Sequence, residues 1–220
     1  MGIAGLRGFY EINSYRNLAH FNPFITQPSN IFNTRNTEFF AGIKGNGGSH
    51  FSYLANVGYV QRKNVALFMN DTSRTGNTYR AMQEEQVNSL RLHGELSYQN
   101  ADKLYWSNSF NAQTFGGLKT YDKAYGLIPL EIQSHARVKV QEHLYVTADL
   151  YYFEGNWYKS KRSEDKTGTA IDLNLGMDLK VYKNWSIWLQ FNNLLNSTYQ
   201  RWNQYPVLGF QALGGAKVTF

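Results

Sequence analysis

The connections of this chain sort by length, and that sorting limits what the chain can fold into. Alternating apolar and polar residues mark about ten strands, near 3–12, 37–44, 49–60, 86–98, 104–114, 127–140, 144–153, 169–181, 185–193 and 209–220. Between them, short turns (GNGG, NADK, QEH and YKN) take turns with long loops at 13–36, 61–85, 115–126, 154–168 and 194–208. An up-and-down antiparallel sheet with these connections carries every long loop at one end and every short turn at the other. An even strand count brings both ends of the chain to the short-turn end.

The strands have one apolar face. In LEIQSHARVKV, Leu130, Ile132, Ala136, Val138 and Val140 alternate with Glu131, Gln133, His135, Arg137 and Lys139. After QEH, Leu144, Val146, Ala148 and Leu150 alternate with Tyr145, Thr147, Asp149 and Tyr151. Further on, Ile171, Leu173, Leu175, Met177 and Leu179 alternate with Asp172, Asn174, Gly176, Asp178 and Lys180. Strand lengths fit a tilted crossing of a hydrocarbon layer, about 9–11 residues. Short turns on one side and long loops on the other are the asymmetry of outer-membrane barrels, whereas a soluble sandwich has no reason to sort its loops. The expected fold is therefore all-β, an antiparallel up-and-down transmembrane β-barrel with about ten strands here; the resemblance described below makes these part of a larger barrel.

In such a barrel Glu131, His135, Arg137, Lys139, Asp149, Asp172, Asp178 and Lys180 point into the lumen. An Arg or Lys on the lipid face costs about 2–4 kcal/mol at the bilayer midplane, so a face carrying several charges must meet water or a polar plug. Antiparallel pairing across QEH places His135 near Asp149 and Arg137 near Thr147.

Composition supports strands and glycine turns over helices. Aromatic residues make up 16% of the 220 residues, with Gly 19 against Pro 4, and no run of eighteen apolar residues exists to form a membrane helix. Tyr182, Trp185 and Phe220 near the short turns, and Tyr152, Phe153, Trp157 and Tyr158 near a long loop, suit two interfacial belts. The absence of cysteine excludes a disulfide framework and thiolate metal sites. MGIAGLRGFYE lacks the features of a signal peptide, so an exported protein would be represented here by a mature chain or a piece.

Catalytic patterns are missing. The five histidines, His20, His50, His93, His135 and His143, have no close metal-ligand spacing, and no phosphate-cradling or nucleophile motif occurs. His20, Glu84 and Glu85 lie on long loops, where adjacent carboxylates are ordinarily solvated. No enzyme, cofactor or metal is expected. The formal charge of +6 forms no stripe, which argues against nucleic acid. YKSKRSEDKTG, the densest charge cluster, suits a solvated loop tip or contact with lipopolysaccharide phosphates.

The C-terminal stretch WLQFNNLLNSTYQRWNQYPVLGFQALGGAKVTF resembles the end of a TonB-dependent outer-membrane receptor. The family's motif after the penultimate strand is matched by Asn193, Leu194, Leu195 and Asn196, followed by Tyr199 and then Tyr205-Pro206. Gly215, Val218 and Phe220 match the terminal signal read by the barrel assembly machinery, with Leu213 where that pattern has a polar residue. The resemblance implies TonB-energised uptake of a bulky ligand, an iron chelate, cobalamin or a glycan. It implies as partners outer-membrane lipid and lipopolysaccharide, the remaining plug and N-terminal strands, TonB acting through that plug, and for some members a surface lipoprotein. Residues 1–220 then form a barrel domain or its C-terminal segment, with no plug domain among them. The other readings are a complete small barrel acting as a passive pore or adhesin, and a soluble all-β binding module.

Overall fold

A computed structural model describes residues 1–26, 31–73 and 78–219. In chain order its strands are β1 (Gly2–Glu11), β2 (Thr34–Gly47), β3 (Phe51–Asn70), β4 (Tyr79–Asn100), β5 (Leu104–Gln113), β6 (Leu130–Gln141) and β7 (Leu144–Phe153). They continue as β8 (Trp157–Lys159), β9 (Glu164–Lys166), β10 (Ala170–Tyr182), β11 (Trp185–Asn192), β12 (Gln200–Trp202), β13 (Tyr205–Pro206) and β14 (Gln211–Val218). Among the described residues one helix, α1 (Tyr15–Phe21), sits in the first long loop, its N-terminus capped by Ser14 Oγ accepting from the Asn17 amide.

Ten of the strands pair in the order β1-β2-β3-β4-β5-β6-β7-β10-β11-β14, every neighbour antiparallel. β8–β9 and β12–β13 are small separate hairpins inside long loops. Among the described residues β1 and β14 do not pair with each other, so the sheet is an open wall with two free edges. The wall curves: a cavity of about 760 Å³ on its inner side is lined by residues from β2 through β7.

Strand register assigns the faces. Phe39 pairs with Tyr59 and Tyr59 with Leu90, and all three are exposed on the outer face. Leu150, Ile171 and Ile187 are among the exposed apolar residues of that same face further along the sheet. A continuous exposed apolar band of this size is foreign to a soluble monomer and suits lipid. On β14, Ala212, Gly214, Ala216 and Val218 share it, while Gln211, Leu213, Gly215 and Lys217 face inward beside Asn192, Gln190, Trp188 and Ser186. Gly215 leaves room there for the Trp188 ring, whose Nε1 a Cβ would approach to 2.8 Å unless the ring shifted.

Two expectations need correction. Residues 61–70 and 79–85 are not loop but the upper parts of β3 and β4, which run on as a hairpin past the level of their neighbours. The hairpin bends at Asn64, whose φ of 60° is left-handed. The Asn64 carbonyl accepts from Thr34 Oγ1 at 2.8 Å, Gln83 Nε2 at 3.2 Å and Asn13 Nδ2 at 3.4 Å. The aromatic belt at the long-loop end also differs. Phe153 is 1% exposed and turned to the inner face against Tyr151 and Tyr199, and Trp157 packs into the loop core. At the other end Tyr182 and Trp185 are paired and exposed, and Phe220 lies outside the described residues.

Candidate functional site

The inner face combines a polar wall with a packed cap of loops. Register places Glu131, His135, Arg137 and Lys139 of β6 on one face with Asp149 of β7 and with Asp172, Asp178 and Lys180 of β10. His135 is opposite Asp149, its Nδ1 2.6 Å from Oδ1, and Arg137 is opposite Thr147 with its guanidinium 4.4 Å over the Tyr145 ring. Lys139 Nζ donates at 2.5 Å to Asp102 in the turn, whose carboxyl is held below its ordinary pKa by that hydrogen bond and charge. Tyr151 donates to Glu131 at 3.2 Å, and Tyr199 to Asp172 at 2.7 Å. These contacts give Glu131, His135, Arg137, Lys139, Asp149 and Asp172 each a polar or aromatic partner on a neighbouring element.

A second inward cluster carries no motif in the sequence. Glu38 is fully buried and bridges Arg7 of β1 and Arg91 of β4. Gly58 makes room for it, since a Cβ there would stand 2.9 Å from Glu38 Oε1. The available signal was the position of all three charges on the polar parity of their strands. His93, on the same face, contacts Asn111 at 2.6 Å and Glu95 at 3.0 Å. Among the described residues no group of three or more His, Asp or Glu side chains is placed to hold a metal ion.

At the long-loop end the raised β3–β4 hairpin is the centre of a cap. One side of it, Ala66, Phe68, Tyr79 and Ala81, packs with Leu18 and Ile25 of the first loop and Trp202 of the last. Val65, Leu67 and Val87 pack with Tyr125, Leu118 and Trp157. Tyr205 stacks on Phe24, ring centroids 3.3 Å apart, so the loops nearest the two ends of the sheet meet. Arg201 lies 4.2 Å over Trp202 and donates to the Gly126 carbonyl at 3.1 Å, and burial lowers its pKa.

Glu84, expected as a loop carboxylate, is a fully buried β4 residue with a structural task. Its oxygens accept from the backbone N–H of Lys119 at 2.8 Å, Thr120 at 3.0 Å, Tyr121 at 2.8 Å and Gln86 at 3.2 Å. Burial raises its pKa, the four N–H donors lower it by more, and the carboxyl ends below its ordinary value. Glu85 and His20 are exposed, and nothing converges on them as a catalytic pair.

The C-terminal motif residues form a tight corner. Asn193 and Asn196 both have φ of 48°, a left-handed conformation that asparagine tolerates. Asn193 Nδ2 donates to the carbonyls of Ser197 at 2.9 Å and Leu208 at 3.0 Å, and Oδ1 accepts from the Ser197 amide at 2.9 Å. Asn196 Oδ1 accepts from the Phe210 amide at 3.0 Å, which starts the descent into β14. Leu194 and Leu195 are exposed, and Pro206 pairs with Gln200 in the last loop's hairpin.

An open, curved, up-and-down wall with an apolar outer face, a charged inner face and loops packed over one end has the form of part of a transmembrane β-barrel wall. Comparison with solved structures makes this specific. The ferric-catecholate import receptor Fiu from E. coli K12 matches with a TM-score of 0.72 at 12% identity, over 100% of this chain and 33% of that one. The pyoverdine receptor FpvA from Pseudomonas aeruginosa PAO1 gives 0.71 at 12% identity, over 100% and 34%. The copper transporter OprC gives 0.66 at 14%, over 99% and 37%. The fold is that of the barrel wall of TonB-dependent outer-membrane receptors, and the chain spans about a third of the receptors it matches. These structural neighbours are transport receptors rather than enzymes. No family model and no curated protein matches the sequence.

Proposed function

We propose that this chain is the C-terminal part of the wall of a TonB-dependent receptor, serving energised uptake of a bulky ligand: an iron chelate, cobalamin or a glycan. The observation that carries the reading is the ten-stranded meander, whose whole length follows about a third of known receptors. The free edges of β1 and β14 support it too, because unpaired strand edges are not tolerated in lipid and call for further wall strands. Glu131, His135, Arg137, Lys139, Asp149, Asp172, Asp178 and Lys180 then line the lumen around a plug carried by the rest of the receptor, on which TonB acts. Gly215, Val218 and Phe220 serve as the address for the barrel assembly machinery. The packed cap is the surface that meets the ligand, and where the receptor has a surface lipoprotein, that partner. The cap also argues against an open passive pore.

These 220 residues hold no cysteine, so once any cysteine in the rest of the receptor has been replaced, each introduced one is the sole labelling site. In outer membranes, spin labels at Ile187→Cys are expected to be relaxed by oxygen, and labels at Gln190→Cys by water-soluble nickel chelate. Reversed accessibilities overturn the wall. For transport, cells with and without TonB are given labelled ferric siderophores, cobalamin and oligosaccharides. Accumulation of one of them is expected to need both this gene and TonB. Uptake through this gene that persists without TonB overturns the energised reading.

A further inference from the structure

The outer face of the sheet is free of charge with one exception. Below the level of Asn64, the outward positions of the ten strands carry no Asp, Glu, Lys or Arg other than Arg35 and Lys63. Arg35 on β2 and Lys63 on β3 are direct cross-strand partners, and both are exposed. Like charges directly opposite one another repel, and among the described residues no carboxylate forms an ion pair with either. The residue opposite Arg35 on β1 is Tyr10, and that opposite Lys63 on β4 is Gln86. Among the described residues neither cation has an ion-pair partner.

Their height gives the repulsion a purpose. Lys63 lies twelve residues up β3 from Phe51, where the strand leaves its short turn. At a strand rise of about 3.4 Å that is about 41 Å along the strand, or about 29 Å along the membrane normal for a tilt of about 45°. The hydrocarbon core is about 30 Å thick, so a band beginning at Phe51 ends at this pair. Immediately beneath it a row of Thr37, Gln61 and Asn88 replaces the apolar residues, and beneath that row come Phe39, Tyr59 and Leu90. The face therefore reads, from the short turns upward, as apolar band, uncharged polar row, paired cations. The lysines at the loop tip are differently placed: Lys159 pairs with Glu164 at 3.2 Å and Lys166 with Glu154 at 2.8 Å.

We propose that Arg35 and Lys63 form a lipid-facing site for the phosphorylated headgroup of an outer-leaflet lipid, the two cations holding one phosphate at the membrane boundary. Arg presents a planar fork to phosphate oxygens and Lys a mobile point charge. A bound dianion removes the repulsion that the fold otherwise retains. The proposal rests on the wall reading above.

The test uses the whole receptor that contains this chain, purified from outer membranes and placed in phosphatidylcholine nanodiscs doped with diphosphoryl lipid A. Lipid A retained per barrel is counted by native mass spectrometry. Retention is expected to fall about tenfold in R35Q/K63Q, to survive in R35K/K63R, and to fall comparably in the unaltered protein when the lipid A lacks phosphates. Undiminished retention in R35Q/K63Q, or equal retention of dephosphorylated lipid A, overturns the site. Loss in K161Q/R162Q in place of R35Q/K63Q moves phosphate binding to the loop tip and also overturns it. Displacement by millimolar inorganic phosphate marks a free-anion site and counts against a lipid. A heat-modifiable gel shift reports folding of every variant. An unaltered receptor that never enters the outer membrane fails the wall reading itself, a result distinct from failure of the site.

Discussion

The hydroxyl of Tyr79 donates a 2.9 Å hydrogen bond to the main-chain carbonyl of Asn203, joining the raised β3–β4 hairpin to a loop 124 residues further along the chain. Burial raises the Tyr79 pKa, which keeps the hydroxyl a donor at any physiological pH. Tyr79→Phe leaves the half-buried Asn203 carbonyl without this donor at a cost of about 1 kcal/mol. Trp202→Ala, which opens the apolar core of the cap, costs about 3–5 kcal/mol of cap stability. Hydrogen exchange is expected to quicken at residues 200–206 in both variants, more in the second, with exchange in β10 and β11 unchanged. Equal protection in the variants and the parent would show that the last loop is held by other means.

Glu84 is the pH-sensitive latch of the third loop. Its folded pKa lies below the ordinary value of 4.5, so its stabilising contribution is fully present above that value and is lost as pH falls through the folded pKa. Protection factors at Lys119, Thr120 and Tyr121 are expected to be flat around neutral pH and to collapse only in acid. Glu84→Gln removes the charge and is expected to lower them at neutral pH roughly ten- to a hundredfold, equivalent to about 1.5–3 kcal/mol. An unaltered acid profile in Glu84→Gln would assign the latch to another group.

Glu38→Gln leaves Arg7 and Arg91 facing each other on the inner wall without their shared anion. Removing one member of a buried ionic cluster costs about 3–5 kcal/mol, and the low end applies because the Arg7 side chain is half exposed. The thermal midpoint of the barrel in detergent is expected to drop accordingly. Gly58→Ala, which crowds Glu38 Oε1, is expected to cost less, about 1–3 kcal/mol. The reverse order would mean that packing, and not charge balance, governs this part of the wall.

Asn193 supplies both a left-handed backbone and three side-chain hydrogen bonds. Asn193→Gly keeps the backbone freedom and loses the bonds, whereas Asn193→Ala loses both. The alanine variant is expected to be the less stable by about 1 kcal/mol and to slow insertion of β14, read as the yield of heat-modifiable barrel. Equal behaviour of the two variants would leave the hydrogen bonds as the sole reason for asparagine here.

Several elements were legible in the residues and others were not. LEIQSHARVKV and its neighbour across QEH alternate cleanly, and the sheet pairs them with His135 opposite Asp149. The run NVALFMN, residues 64–70, has lost the strand period and resembles loop in sequence. Val65, Ala66, Leu67 and Phe68 are all buried, since loops cover the hairpin on both sides and both parities must be apolar. Glu84 looked like a solvated loop acid for the same reason, as its partners are backbone N–H groups with no side-chain signature. Phe153 read as an interfacial anchor, yet its parity turns it inward beside Tyr199.

The sequence by itself determined the wall. Period-two alternation decides which face each side chain takes, and turn length decides which strands are neighbours, both through local backbone geometry. It also carried the Asn193–Asn196 corner, whose chemistry lies within a few residues. Only the tertiary structure decided the cap, the Arg7–Glu38–Arg91 bridge and the Arg35–Lys63 pair. Those depend on register between strands and on contacts such as Tyr79 with Asn203, where the chain meets itself over distances that no local pattern encodes.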